Sequence, residues 1–241
     1  MNSVRFNIEC WQALSPGLGD IDAWKAWVAS EKQWPETLSP VPVTDIPPML
    51  RRRMSSLSKM AIQTAISLAK DSDIDFIVFS SRHGELERTA KLLRDILQGE
   101  DASPIAFSQS VHNTAAGLFT IATKQAIPVT SLAAGEHSLH SAIIEASAYL
   151  AENPQHRILV VDFDEPLPAP YHSFEVKQHQ AFALGLILSN GSQYQLSWQA
   201  GDQSFPSSAT LPQTLDVIAN LVSGSHAWTI DGKRTQWHWK C

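Results

Sequence analysis

Apolar and polar positions alternate in two rhythms along the chain, one suited to strands and one to helices. Ser3 to Leu14, SVRFNIECWQAL, reads as a strand that runs into a turn at SPGLGD. Asp20 or Asp22 is then placed to cap a short helix, DAWKAWVA. Pro35, Pro40, Pro42, Pro47 and Pro48 make residues 34–48 an extended surface segment, because proline removes a donor and fixes φ. In MLRRRMSSLSKMAIQTAISLAKD the apolar residues Met54, Leu57, Met60, Ala61, Ala65 and Leu68 recur at helical spacing. DIDFIVFSS centres on the apolar run FIVF, as in a strand covered on both faces. GELERTAKLLRDILQGE predicts an amphipathic helix ended by Gly99.

The alternation then repeats. PIAFSQSVHNTAAGLFTIATK is expected to begin extended and turn helical after Asn113, itself a good N-cap. IPVTSLAA predicts a strand, HSLHSAIIEASAYLAEN a helix, and HRILVVDFDE a strand with β-branched residues at its centre. QAFALGLILSNG predicts another strand, with Asn190-Gly191 as a turn and SQYQLSWQA as its hairpin partner. A last helix, PQTLDVIANLVSG, precedes two short strands, HAWTIDG and TQWHWKC. Strands alternating with helices point to a layered α/β fold with a mixed, mostly parallel sheet, and residues 1–241 read as one domain.

Composition narrows the functional classes. The 241 residues are 44% hydrophobic and 17% charged, which supports a sizeable core. A net charge of −6 with no Lys/Arg stripe argues against nucleic-acid binding. The one basic run, Arg51-Arg52-Arg53, reads as a solvated or ion-paired cluster. No apolar run approaches the roughly 20 residues that cross a bilayer, and the N-terminus lacks a signal-peptide layout. Two cysteines, Cys10 and Cys241, at opposite ends form no disulfide framework and suit a reducing cytoplasm. Neither has the local context of a catalytic thiol.

The candidate chemistry centres on VTSLAAGEHSLHSAIIEASAYL, a strand, a tight turn and a long helix. Enzymes often mount a nucleophile there, since helix-terminal N–H groups favour negative charge. This turn holds no cysteine, and Gly135 is its most open position. Ser138 is out of phase with a G-x-S-x-G elbow and is placed to cap the helix. His137 and His140 share a helix face beside Glu136, but their spacing is not H-E-x-x-H and no third metal ligand is evident. The acidic DFDEP, Asp162 to Pro166, follows a strand end, and reads either as a cation site or as a loop left in solvent. The aromatic tail is explained by a strand pair with one buried face. No phosphate loop or dinucleotide fingerprint is present; Gly84 in RHGE stands alone.

The order of segments, and LAAGEHSLHSAI in particular, resembles the first half of the β-ketoacyl synthases of the thiolase superfamily. Their turn S-A-C-A-T-S-L-H carries the acyl-accepting cysteine; Ser138-Leu139-His140 match its closing S-L-H, and Gly135 falls where the cysteine would be. WQALSPGLGDIDAWKAW is similar to the family's G-x-x-S-P-x-G stretch and short helix, and RRRMSSLSKMAIQTAI to its R-x-M-D helix. FSQSVHNTAAGLFTIA is similar to the segment forming part of the family's dimer contact. The likeness covers roughly residues 1 to 190, and HRILVVDFDEPLP takes the place of the next core strand.

The resemblance implies a thiolase-like fold, truncated relative to full ketosynthases, without the second half that carries two histidines and a lysine. His226 and His238 lie in the remainder without a motif. Condensation needs a thiolate to hold the acyl chain, and donors for the enolate oxygen. Gly135 has no atom for the first and the donors go with the missing half, so Gly135, Glu136, His137 and Ser138 are expected to be a vestigial site, with no cofactor and no metal. Nucleophile-less relatives are chain-length factors, which pair with an active ketosynthase and bound its acyl pocket, as in aryl polyene pathways. The acyl carrier protein would then be met only indirectly. A half-domain is also expected to leave one side of its sheet uncovered for a partner. The contact is expected between Ile105 and Val129, through Phe107, Gln109, Val111, His112, Asn113 and Phe119. Two other readings are a stand-alone acyltransferase or hydrolase using Ser138 or Ser131 with a nearby histidine, and an acyl-binding homodimer.

Overall fold

The structure, a computed structural model, describes residues 2–175, 179–201 and 211–241. In chain order these form β1 (Asn2–Leu14), α1 (Ile21–Ala29), α2 (Pro48–Arg51), α3 (Ser56–Ala69), β2 (Phe76–Ser80), α4 (Leu86–Leu97), α5 (Pro104–Ser108), α6 (Thr114–Thr123) and β3 (Val129–Leu132). Then follow α7 (Ser138–Glu152), β4 (Arg157–Asp164), β5 (Phe182–Ala200), α8 (Gln213–Ser223), β6 (Ala227–Asp231) and β7 (Thr235–Lys240).

All seven strands join one sheet of order β3-β2-β4-β5-β7-β6, with β1 added along β5. The layered α/β architecture and the mixed sheet agree with the sequence pattern, but the balance of directions differs. β2 is parallel to β3 and β4, whereas β4–β5, β1–β5, β5–β7 and β6–β7 are antiparallel. The cause is β5, which returns against β4 and then serves as a template for β1 and β7. It is one strand from Phe182 to Ala200 rather than the expected hairpin. Asn190-Gly191 does not reverse the chain. It forms a bulge opposite Asn7, whose side chain donates to the Asn190 carbonyl and accepts from the Gln193 N–H.

Both faces of the sheet are covered, which corrects the expectation of an open half-domain face. Val78, Ile158 and Val160 point into one core with α1, α7 and α8, while Ile77, Phe79, Leu159 and Val161 point into the other with α3 and α6. The period-2 alternation of two central strands therefore feeds two cores at once. Each fully buried side chain of this kind contributes about 1.5–3 kcal/mol. The C-terminal aromatic tail completes the first core: Trp237, Trp239 and Ile230 are buried on one face of the β6–β7 hairpin.

The long helix expected from Met49 is broken. Pro48 starts α2, and Ser55 then stops the helical path by turning extended and accepting the Ser58 N–H at 2.9 Å, so that α3 begins afresh. Met54, Leu57, Met60, Ala61, Ala65 and Leu68 are all buried, as their spacing requires. The segment before Asn113 is not extended. Ser103 caps the five-residue helix α5 with Pro104 in its first turn. Residues 34–47 carry no helix or strand, although Ile46 is drawn into the core beside α3.

Candidate functional site

After β3 the chain makes a single 3-10 turn, Gly135–His137, that leads into α7. Gly135 has φ +61, a left-handed conformation that side-chain-bearing residues rarely adopt, although nothing lies within 4 Å of where a Cβ would stand. Ser138 holds the turn closed: its Oγ accepts the Ala134 N–H at 3.1 Å and donates to the Gly135 carbonyl at 2.8 Å. That hydroxyl is committed to the backbone, and neither Ser131 nor Ser138 is hydrogen-bonded to a histidine ring.

The two histidines are gripped by the tryptophans of β7. Trp237 Nε1–H donates to His137 Nδ1 at 3.0 Å, and Trp239 Nε1–H donates to His140 Nε2 at 3.1 Å. His140 is fully buried and its ring stacks on Trp237 at 4.4 Å. Burial, and then the nearby His137, push its pKa down to about 3, so the imidazole stays neutral. The hydrogen bond to Nδ1 leaves the proton of neutral His137 on Nε2, which faces Glu136 Oε1 at 3.6 Å. Glu136 Oε1 also accepts the Lys233 N–H at 2.6 Å, tying the turn to the β6–β7 connection. Only glycine fits at residue 232, where a Cβ would come within 2.4 Å of the His137 ring.

Opposite Gly135, Arg82 and His83 after β2 and the end of β4 wall a small cleft of ≈ 50 Å³. Asp162, 1% exposed, accepts from Ser80 Oγ at 2.5 Å and from Thr214 Oγ1 at 2.6 Å. Burial and then Asp164 raise its pKa to about 7, against the pull of those two hydroxyls. Asp164 accepts from Ser81 Oγ at 2.8 Å, the Arg82 N–H at 2.8 Å and the His83 N–H at 3.2 Å. Burial still raises it on balance. Glu165 is pushed up to about 7 by burial and by Glu85, Glu87 and Asp164. Burial lowers His83, against Asp164. The cleft thus gathers carboxyl groups whose burial favours the protonated form, beside a turn without a thiol.

Of the four residues expected at a vestigial site, Gly135, Glu136 and Ser138 line one cleft, while His137 turns away toward β7. The acidic stretch is neither of its two expected forms. Asp162 and Asp164 belong to β4 itself and are hydrogen-bonded between neighbouring strands and α8. The signal was Ser80-Ser81 closing the parallel neighbour strand, in register with Asp162. Among the described residues no group of three or more His, Cys, Asp or Glu could hold a metal ion. No helix of the described residues is long and apolar enough to cross a membrane. Cys10 and Cys241 are free and exposed.

The residues expected at a partner contact divide. Phe107 is 62% exposed and Val111 37%. Asn113 is exposed at the start of α6 but makes no capping bond. Gln109 is half-buried against Arg88. His112 turns inward, with Nε2 at 2.9 Å from the Ser81 carbonyl oxygen. Phe119 is a correction: it is 1% exposed and packs on Phe79, because α6 turns residues 114–116, 118 and 119 to the core. Ile105, Ile121 and Val129 are exposed in the same segment. Among the described residues β3, which carries Val129, pairs with β2 alone and leaves one edge open.

Comparisons with known proteins agree with this geometry. No curated protein sequence matches the chain. Over 99% of its length the chain is similar to 100% of a chain in the structure of a ketosynthase (ApeO) in complex with its chain length factor (ApeC) from Xenorhabdus doucetiae, at 32% identity and TM-score 0.89. It is similar in fold to the ishigamide ketosynthase/chain length factor, at 18% identity and TM-score 0.64, over 82% of this chain and 67% of that one. A β-ketoacyl synthase from Burkholderia phymatum STM815 shares the fold at 15% identity and TM-score 0.58, over 92% of this chain and 71% of that one. A family profile, the β-ketoacyl synthase N-terminal domain, matches residues 24–240. The chain belongs to the β-ketoacyl synthase family, in its N-terminal domain.

Proposed function

We propose that this chain is a non-catalytic, chain-length-factor-like subunit. It pairs with an active β-ketoacyl synthase in fatty-acid or polyketide-type biosynthesis, such as an aryl polyene pathway, and helps shape or stabilise the partner's acyl pocket. One observation carries the pairing: Ile105, Phe107, Val111, Ile121 and Val129 are all exposed within a stretch that ends on the open edge of β3. Apolar side chains beside an unpaired strand edge are the surface that association covers. The likeness to a chain from a ketosynthase and chain length factor complex supports the same reading.

The absence of chemistry is supported by the turn. Covalent acyl transfer needs a nucleophile, and Gly135 offers none while Ser138 Oγ is held by backbone groups. The indole donors on His137 and His140 occupy the lone pairs a general base would use.

Co-expression with an active ketosynthase from the same organism, followed by native mass measurement, tests the pairing. A heterocomplex is expected; a lone chain beside an intact ketosynthase homodimer would defeat it. The purified chain alone, given acyl and malonyl carrier-protein thioesters, is expected to form no carbon–carbon bond and no acyl adduct.

A further inference from the structure

Helix α5 raises a physical problem. It is five residues long, none of them buried, and a helix that short does not hold itself together. Its internal bonds, such as Phe107 N–H to the Ser103 carbonyl, close turns but attach it to nothing. Its main neighbour is α4, and the polar ties come from two α4 residues. Arg88 Nη1 donates to Gln109 Oε1, and Thr89 Oγ1 donates to the Ser110 carbonyl at 2.9 Å.

Arg88 reaches further than α5. Its Nη2 donates to the Arg53 carbonyl at 2.8 Å, in the link between α2 and α3. Its Nε lies 3.3 Å from Glu85 Oε2. Glu85 is 3% exposed, and its other oxygen accepts from Ser55 Oγ at 2.7 Å and from Ser58 Oγ. One guanidinium therefore joins the α2–α3 link, the start of α4 and the end of α5. A planar fork with five donors can do this; an ammonium on a flexible stem cannot.

We propose that Arg88 is the positioning residue of the docking segment: it fixes α5 against α3 and α4 so that Ile105 and Phe107 stand ready for the partner. This rests on the pairing proposed above. A preordered segment loses less entropy on association than a loose one, so the clamp acts on affinity without touching the partner. The competing account is that Arg88 only neutralises the buried Glu85.

Arg88→Lys separates the two, since lysine can supply the charge but not the three-way bond. Hydrogen exchange of the peptide over residues 104–111 is read in the free chain, and ketosynthase affinity by titration. Both Arg88→Met and Arg88→Lys are expected to speed exchange there and to raise the dissociation constant by about tenfold, the size of a lost charge-assisted bond. Peptides of α3 and β5 keep their protection. Gln109→Ala, which cuts only the α5 end, is expected to do the same and serves if Arg88→Met does not fold. Rescue of both readouts by lysine, or unchanged exchange in Arg88→Met and Gln109→Ala, overturns the proposal. If the wild-type chain forms no complex while Arg88→Met still loosens α5, the docking role falls with the pairing rather than with the clamp.

Discussion

Two short turns of this molecule, Gly135–His137 and α5, were built by opposite means. The first is locked from every side: Ser138 closes it, Trp237 holds His137, and the Lys233 amide holds Glu136. The second buries nothing and is fixed by α4 side chains, chiefly Arg88. The difference separates two uses of a turn. The turn at Gly135 is held by side chains and backbone from several elements, whereas α5 leaves Ile105 and Phe107 exposed and is oriented from one side only.

The strongest way to break the comparison is to loosen the locked side. Trp239→Ala is expected to cost about 3–5 kcal/mol, measured by denaturant unfolding, because it empties a core position and leaves His140 Nε2 without its donor. The same truncation at Phe107, 62% exposed, is expected to change unfolding by no more than about 0.5 kcal/mol. An Ile105→Ser, Phe107→Ser pair should instead abolish or weaken the ketosynthase complex by tenfold or more, as loss of a hot spot does.

Acid should expose the locked side in a second way. His140 is lowered from 6.5 to about 3 in the fold, so its neutral form is favoured there. Its contribution is full above pH 6.5 and is lost as pH falls toward 3, because the unfolded chain takes the proton first. Asp162 runs the other way. Its pKa is raised from 3.8 to about 7, so its penalty is absent below pH 3.8 and complete above 7. Between pH 7 and 4 the two oppose each other. Unfolding followed against pH should therefore show His140→Phe gaining stability on acidification and Asp162→Asn losing it, each by roughly a few kcal/mol. Parallel slopes in both variants would refute this assignment.

The smallest effect concerns Gly135. Gly135→Ala is expected to cost about 1 kcal/mol by thermal unfolding, through φ +61 alone, since the space beside it is open. A larger loss would mean that the turn is packed more tightly than its surroundings indicate.

Local features were legible in the sequence, and long-range ones were not. The FIVF run and its two covered faces followed from composition alone, and so did the helix after the turn. The turn after β3 stood out because Ser138-Leu139-His140 resemble a family motif around Gly135. Phe119 was misplaced because the start of α6, not its apolar content, decides which residues face the core. Asn190-Gly191 carries the strongest hairpin signal in the chain, yet a bulge satisfies it equally well once Asn7 supplies the missing bonds. The buried carboxylates were hidden because Asp162 becomes a core residue only when Ser80 and Thr214, far apart in sequence, meet it.

The union of β1 with β5 bears on how the molecule is made. Leu14 pairs with Ala183 and Asn2 with Trp198, so β1 has no strand neighbour until β5, about 170 residues or more later, has been made. At typical elongation speeds that wait lasts roughly ten to forty seconds. During it Phe6 and Ile8, buried in the finished sheet, stay exposed beside an unpaired strand edge, the kind of surface open to stray pairing.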